Sequence, residues 1–407
     1  MIIHKLKPLL LALSLVATSA IAEETPPQTL LIHAARVFDG TDFKSDTSVL
    51  VVDGKVTQID KREAFKNTTA KEIDLGDATL LPGFIELHAH LNYRHIPAET
   101  VLRHGITTLR DVGGPIQQPM GGDGSLRVLT SGPIITATDG YPIVNMGADN
   151  IAVAVNTEEE ARATVRQLVK DGAVVIKVAL EPGNESGAPW SGGHGHHEHA
   201  SAESKHSHHK PAHAAKALWP LLPLNVVKAI VSEAHSLNRK VTAHLAEEKG
   251  ARLALEAGVD EWAHMPCDAI PESLLKKAVA QKVKVISTLD TLSKCTGLAH
   301  NSKILSGLGA EFLYGAEIAH PDIPWGIDAN ELMLMMHLAN MPMLDVLRSA
   351  TSKAGAYLDI PLLGTLQANA PADLIAIKGD IKESFKPLEY PDLVISGGKI
   401  VVNNFVK

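Results

Sequence analysis

Hydrophobic and polar positions change their spacing twice along the chain. Residues 23–81 and 366–407 contain short apolar runs broken by Gly and Asp, as in SVLVVDGKVTQID and DLVISGGKIVVNN, which predicts strands joined by tight turns. Residues 82–365 instead alternate short apolar segments with amphipathic ones, a pattern typical of parallel strands connected by helices. The apolar segments are FIELHAHL, ITTLRDVG, RVLTSGPIIT, AVVIKVAL, KVTAHLA, EWAHM, VKVISTL and FLYGAEI. These eight strands predict an α/β fold, a (β/α)8 TIM barrel, with a small β-sandwich domain built from both chain ends.

The first residues, MIIHKLKPLLLALSLVATSAIAEE, follow a different pattern. Lys5 and Lys7 precede an apolar core that ends in Ala20-Ile21-Ala22, an arrangement typical of a secretory signal peptide cleaved after Ala22. The apolar run is shorter than the roughly 20 residues that a membrane span requires. We therefore expect residues 1–22 to be removed, which leaves a periplasmic or secreted protein without stable membrane association.

Composition narrows the function classes. Hydrophobic residues make up 45% of the chain, so a large core can form and wholesale disorder is excluded. The formal net charge is -8, aromatic residues make up 4%, and no basic block is present, which argues against nucleic acid as a partner. A homo-oligomer is compatible with this composition. We expect a small-molecule ligand.

Polar side chains occur near the ends of several predicted strands. Active sites of barrels lie at the C-terminal edge of the strands, so these side chains should meet there. They are His88 and His90 on the first strand, Lys177 on the fourth, His244 and His264 on the fifth and sixth, and Glu317 on the eighth. A single strand-end histidine is more often structural, but imidazole and carboxylate are zinc ligands. Their shared edge predicts a divalent-metal site.

The order and spacing of LPGFIELHAH, VVIKV, VTAHL, EWAH and LGTLQANAPADLIAI resemble the amidohydrolase superfamily, especially its imidazolonepropionase-like and prolidase-like (Xaa-Pro dipeptidase-like) members. The resemblance implies a hydrolase that uses a metal-activated hydroxide to cleave the C–N amide bond of a dipeptide or N-acyl amino acid. It also implies one or two Zn²⁺ ions, with His88 and His90 on the first and His244 and His264 on the second. Lys177 would carry a CO₂-derived carbamate that bridges them.

The eighth strand departs from this family pattern. The family usually ends that strand with Gly-Thr-Asp, whereas this chain has Gly315-Ala316-Glu317. The resemblance therefore assigns Glu317 as metal ligand and general base, beside Lys177 as the other catalytic residue. Asp322 or His320 could take part instead. A third hypothesis is that the protein binds metal but turns over its substrate poorly.

Residues 183–217 interrupt the alternation of strands and helices. They are rich in Gly, Ser, Ala and His, which predicts a mobile surface insertion. Its histidines predict accessory metal binding at His194, His196, His197, His199, His206, His208, His209 and His213. The insertion and Glu317 keep open a metal-binding or metal-buffering protein on a hydrolase scaffold. A second alternative is a cyclic amide or lactone hydrolase, since the same hydroxide could cleave those bonds.

Several loop residues are further candidates. Tyr141, Asp290 and His320 are placed to face a substrate at the same barrel edge. Cys267 and Cys295 follow the sixth and seventh strands, and either a disulfide or a free thiol near the metals fits their spacing. Arg110-Asp111, at the end of the second strand, is interpreted as a structural ion pair.

Overall fold

The computed structural model describes residues 29–66, 68–183, 187–188 and 218–405. The predicted signal peptide at residues 1–22 and the predicted accessory histidines between residues 194 and 213 lie outside these ranges. Within them, no helix has both the length and the apolar character needed to cross a membrane.

The described residues form strands and helices in the following order along the chain. The strands are β1 Thr29–Phe38, β2 Phe43–Val52, β3 Lys55–Lys61, β4 Lys71–Asp74, β5 Ala78–Pro82, β6 Phe84–Ala89, β7 Ile106–Asp111, β8 Arg127–Thr130, β9 Ile134–Thr136, β10 Ala152–Ala154, β11 Val175–Ala179, β12 Lys240–His244, β13 Glu261–Trp262, β14 Lys284–Ile286, β15 Phe312–Leu313, β16 Leu374–Lys378, β17 Leu393–Ser396 and β18 Lys399–Asn403. The α-helices are α1 Leu91–Arg94, α2 Ala98–Arg103, α3 Ile143–Met146, α4 Glu158–Lys170, α5 Leu224–Ser236, α6 Glu248–Ala257, α7 Glu272–Ala280, α8 Leu298–Gly307, α9 Ala329–Leu338, α10 Met343–Ser349 and α11 Ser352–Tyr357. Short 3₁₀ helices cover Arg62–Phe65 and Lys386–Glu389.

Strands from the two ends of the described chain share one mixed sheet. Its order is β18-β17-β16-β5-β1-β2-β3, and β4 pairs with β1. β5 joins the two halves because it lies parallel to β1 and antiparallel to β16. Apolar side chains from both halves, among them Ile32, Val49, Leu80 and Leu374, are buried together. The sheet is the domain that the sequence predicted from its two β-rich ends; its boundaries at residues 81 and 366 stay predictions.

Parallel strands between these ends form the barrel. One run has the order β10-β9-β11-β12-β13-β14-β15, and a second has the order β6-β7-β8. The third predicted strand, RVLTSGPIIT, is divided into β8 and β9. The backbone N–H of Val174, directly before β11, donates to Thr130 O at the end of β8 at 2.9 Å and joins the two runs. At the other seam, the N–H of His90 donates to Ile318 O at 2.9 Å. The predicted TIM-barrel class is thereby confirmed.

The first barrel strand separates its two faces as its period of two predicts. Ile85 and Leu87 pack outward in a buried cluster with Ala354 of α11, whereas Glu86 and His88 lie on the opposite face. Helix α4 begins with a capping box, in which Thr157 and Glu160 exchange side-chain and backbone hydrogen bonds. Helices of this kind cover the outside of the strands and leave the polar side chains inside.

Two barrel strands are shorter than their predicted segments. In EWAHM, β13 ends at Trp262, so His264 lies in the loop beyond it, shortly before Pro266, which has no N–H for a ladder. In FLYGAEI, β15 ends at Leu313. Glu317 cannot continue that strand because its φ is +64°, in the left-handed region.

Candidate metal centre

Three predicted ligands converge where β6, β13 and β15 lead into their loops. His88, His264 and Glu317 each offer one ligand atom, and these atoms lie within 4.8 Å of one another. Both histidines are buried and Glu317 is largely buried. An ion of any kind between these atoms would be shielded from bulk water.

The other two predicted histidines join the same group. His88 Nε2 lies 3.3 Å from His90 Nε2, and His244 Nδ1 lies 2.9 Å from His264 Nε2. The rings of His88 and His264 connect the two pairs, with their centroids 4.4 Å apart. The structure thus brings all four imidazoles of the predicted set into one cluster.

Backbone carbonyls orient the first two imidazoles. His88 Nδ1 donates to Ala263 O at 2.7 Å, and His90 Nδ1 donates to Gly113 O at 3.4 Å. A neutral imidazole that donates through Nδ1 presents a lone pair at Nε2. The two lone pairs therefore face each other across 3.3 Å, an arrangement that a cation between them would stabilise.

Burial keeps these imidazoles neutral. It lowers the pKa of His88, His244 and His264 well below the usual value. Burial likewise lowers the pKa of His90 to about 3. Metal ligation requires an unprotonated imidazole, so the cluster can bind a cation at neutral pH without first losing protons.

Lys177 lies in the middle of β11 and is 1% exposed. Its Nζ has no hydrogen-bond partner among the described residues. Burial lowers its pKa to about 7, although the negative charge of Glu317 acts in the opposite direction. A buried ammonium without a partner is unfavourable, so this position suits either a neutral amine or a lysine that has been modified.

Glu317 supplies the carboxylate of the site. Its Oε2 lies 3.7 Å from His264 Nδ1 and its Oε1 lies 4.0 Å from His90 Nε2. Burial raises its pKa to about 7. The backbone N–H of His320 donates to Glu317 O at 3.1 Å, so the backbone of His320 lies beside that of Glu317. Asp322 is exposed. Glu317 is therefore the carboxylate that the structure places among the histidines.

An aromatic stack borders the cluster. The ring of Tyr141 stacks on His244 with centroids 4.5 Å apart, and Trp219 stacks on Tyr141 at 5.5 Å. The N–H of Trp219 donates to Pro182 O at 2.8 Å, which joins the two described flanks of the predicted insertion. The sequence prediction included Tyr141 but missed Trp219, whose only signal was a scarce residue type directly after the His-rich segment.

Two further predictions concern loop residues. The backbone N–H of Asp290 donates to the buried Glu331 carboxyl group at 2.8 Å, and its contact with a substrate stays a prediction. Cys267 and Cys295 form a disulfide, which decides between the two states that their spacing allowed.

The interpretation of Arg110 as the ion-pair partner of Asp111 is wrong. Arg110 pairs with Glu261. Asp111 instead accepts the backbone N–H groups of Asn92 and Gly113. Adjacent residues on a strand point to opposite faces, so Arg110 and Asp111 cannot meet.

The comparison with known families agrees with this geometry. The model of the amidohydrolase family matches residues 79–401, which includes the barrel and every residue of the cluster. The chain belongs to the amidohydrolase family. The predicted resemblance is therefore confirmed.

Individual curated proteins match a smaller part of this chain than the family model does. Ochratoxinase of Aspergillus niger is 26% identical over 303 residues, which cover 69% of this chain and 57% of that protein. The exoenzymes regulatory protein AepA of Pectobacterium carotovorum subsp. carotovorum is 45% identical over 60 residues, 14% of this chain and 13% of AepA. The alignments with these curated relatives thus span less than two thirds of their length.

Several solved structures share the fold of this chain. A. niger ochratoxinase superposes with a TM-score of 0.71 at 19% identity and covers 93% of this chain and 96% of its own. A Xaa-Pro dipeptidase with bound methionine in its active site gives a TM-score of 0.70 at 22% identity, with coverage of 91% and 99%. These likenesses establish the architecture of the chain.

Proposed function

We propose that this protein is an exported, metal-dependent amidohydrolase that cleaves the C–N amide bond of a small substrate, a dipeptide or an N-acyl amino acid. The observation that carries the proposal is the close approach of His88 Nε2 and His90 Nε2, 3.3 Å apart, beside Glu317 and a buried Lys177 whose Nζ has no hydrogen-bond partner among the described residues. Membership of the amidohydrolase family supports amide hydrolysis. A structural neighbour described as a Xaa-Pro dipeptidase supports a dipeptide as one substrate class.

The donor set fits one or two zinc ions. His88 and His90 would hold the first, and His244 and His264 the second, since zinc accepts neutral imidazoles and carboxylates. When bound, zinc would lower the pKa of water and polarise the scissile carbonyl. The protein's part is to keep these imidazoles neutral, oriented and away from bulk solvent.

Lys177 would contribute as a carbamate. Its neutral amine nitrogen adds to the carbon of CO₂, one C=O electron pair moves to oxygen, and one proton leaves to solvent. The product is an anion with two oxygens in place of an ammonium. Support comes from the burial of Nζ and from its lack of a hydrogen-bond partner among the described residues.

Glu317 would act as the general base. Its carboxylate, within 4.0 Å of two ligand imidazoles, would take a proton from the attacking water and return it to the leaving amine. The stack of Tyr141 and Trp219 would form an apolar wall against the substrate side chain. These roles use residues that the structure already brings together.

Export rests on the N-terminal sequence alone. The charged start, the apolar core and the Ala20-Ile21-Ala22 site support cleavage after Ala22. Edman sequencing of protein recovered from the periplasm or the medium should begin at Glu23. Full-length protein confined to the cytoplasm would contradict export.

The activity is tested by screening purified, metal-analysed protein against dipeptides and N-acyl amino acids. Cyclic amides and lactones form a second panel, and a variant lacking residues 194–213 is run in parallel. Hydrolysis of the first panel by both proteins, with equal bound zinc, would support the proposal. Turnover confined to the second panel would replace the substrate class. Bound metal without hydrolysis of either panel would favour a metal-binding protein.

A further inference from the structure

The fully buried Glu86 connects two elements of the metal cluster. It lies on β6, two residues before His88. Its Oε1 accepts a hydrogen bond from the backbone N–H of His88 at 2.6 Å, and its Oε2 accepts one from the backbone N–H of Ala316 at 2.9 Å. Because Ala316 directly precedes Glu317, one carboxylate joins the strand that bears His88 to the loop that bears Glu317.

This contact lies at the seam where the barrel closes. The N–H of Leu87 donates to Tyr314 O at 3.4 Å on one side, and the N–H of His90 donates to Ile318 O at 2.9 Å on the other. The backbone distance at Leu87 is long for a hydrogen bond of this type. The Glu86 carboxylate therefore supplies a short contact at Ala316, between these two backbone hydrogen bonds.

Close packing keeps the Glu86 carboxylate in place. A Cβ added at Gly315 would lie 3.1 Å from Glu86 Oε1, 3.1 Å from His88 Cβ and 2.4 Å from Ile286 Cγ2. Only glycine leaves enough room here for the strand to approach so closely. Glycine at position 315 thus lets the backbone of this loop approach the Glu86 carboxylate closely.

Glu317 needs such support because of its backbone. Its φ of +64° is uncommon for a residue with a side chain, and such conformations persist where their surroundings hold them. On its N-terminal side, Ala316 is held by Glu86 through its N–H and by Thr291 Oγ1 through its carbonyl, at 2.9 Å each. On its C-terminal side, the N–H of His320 donates to the Glu317 carbonyl at 3.1 Å.

We propose that Glu86 is a positioning residue for Glu317. By joining the N–H groups of His88 and Ala316, its carboxylate sets the separation of the two chain segments and hence the place of the Glu317 carboxylate near His264. The inference rests on the proposed function, in which Glu317 is a metal ligand and general base. A shorter side chain at position 86, or one with an NH₂ group in place of one oxygen, cannot accept both hydrogen bonds.

The first test needs neither metal nor substrate. Metal-free wild type, E86D and E86Q are compared by hydrogen–deuterium exchange of peptides that cover residues 314–320. Loss of the contact at Ala316 should accelerate exchange in this segment by about 10-fold, since a buried N–H group is left without its acceptor. Wild-type exchange in both variants would overturn the proposal.

A buried carboxylate elsewhere provides the matched control. Asp373 accepts the backbone N–H of Gly397 at 2.7 Å and a hydrogen bond from Arg127 at 3.2 Å, in the terminal sheet. The D373N variant also loses a buried carboxylate but should leave exchange at residues 314–320 unchanged. Equal acceleration in D373N would show a general loss of stability and would count against a specific role of Glu86.

The second test measures coupling between the two glutamates. The Co²⁺ affinity of the site and kcat are measured for wild type, E86D, E317D and E86D/E317D. We expect E86D to lower both by about 10–100-fold, as changes of groups that orient metal ligands do, with KM less affected. E86D should have a much smaller effect when Glu317 is already shortened. Losses that multiply in the double variant would overturn the proposal.

These measurements distinguish a failure of the proposed hydrolytic activity from a failure of the proposed role of Glu86. A wild type that binds Co²⁺ but hydrolyses no substrate would contradict the proposed activity, while exchange and Co²⁺ affinity would still test Glu86. An active wild type with unaltered exchange, Co²⁺ affinity and kcat in E86D and E86Q would contradict the role of Glu86 alone.

Discussion

Arg110 and Glu261 form a bidentate ion pair inside the barrel, with Nη2–Oε1 and Nη1–Oε2 distances of 2.6 and 3.0 Å. Their side chains are 2% and 0% exposed. Arg110 Nε also donates to Leu87 O at 2.8 Å. The pair thereby connects β7 and β13 to the strand that carries His88.

Loss of one partner of this pair should destabilise the protein strongly. The R110M variant leaves the Glu261 carboxylate buried without its cation, and we expect the free energy of unfolding to fall by about 3–5 kcal/mol. The R110M/E261M variant removes both charges and should recover most of that loss. Urea denaturation of metal-free protein measures both effects. A single variant as stable as wild type would contradict this account of the barrel interior.

Lys177 should be essential for the proposed activity. Its replacement in K177A removes the site of carbamylation, and we expect kcat/KM to fall at least about 100-fold with loss of bound zinc. Lys240 on the neighbouring strand pairs with Asp359 outside the cluster, so K240A is the matched control and should retain activity. A ¹³C carbamate signal should appear in wild type supplied with ¹³C-bicarbonate and be absent from K177A. Full activity of K177A would contradict the assignment.

Much of the fold follows from local sequence pattern. The barrel strands and the places of His88 and Lys177 on them were predictable, because strand periodicity and the order of strands depend on short segments. The partner of Arg110 was not, because barrel closure brings Glu261 to it from 151 positions away in the sequence. Glu86 could be placed on the correct face, but its role depends on the contact with Ala316, which is 230 positions away.

The backbone conformation of Glu317 could not be predicted from the sequence pattern either. FLYGAEI begins with the apolar residues of a strand, yet the backbone enters the left-handed region at Glu317 near its end. Residues distant in the sequence, Glu86 and Thr291, hydrogen-bond to Ala316 directly before this turn, so the local sequence does not predict it. The stack formed by Trp219 depends in the same way on how the two flanks of an insertion meet.

Glu331 should make stability depend on pH. Burial raises its pKa to about 8, so between about pH 4.5 and pH 8 the folded state keeps a proton that the unfolded state releases. Stability should therefore fall as pH rises through this range, by up to about 1.4 kcal/mol per pH unit from this group. E331Q cannot ionise, but its amide oxygen can still accept the N–H of Asp290. The variant should gain stability over wild type at pH 8 and much less at pH 5.

Urea denaturation at pH 5, 6.5 and 8 with a chelator present measures this difference, and the chelator removes the pH dependence of metal binding. E256Q, which changes an exposed glutamate on α6, is the control and should follow the wild-type curve. An E331Q curve parallel to that of wild type would show that Glu331 does not carry this pH dependence.

The disulfide between Cys267 and Cys295 should stabilise the rim of the site. It joins the loops after β13 and β14 across 28 positions of sequence, and Cys267 lies three residues beyond His264. Closing a loop of this length in the unfolded chain corresponds to about 3–4 kcal/mol, so C267A/C295A should lose a free energy of unfolding of that order. Wild type unfolded in the presence of a phosphine reductant should show a similar loss, which separates the crosslink from the packing of the sulfur atoms. If oxidised wild type, reduced wild type and the double variant unfolded at the same urea concentration, the disulfide would have no stabilising role at this rim.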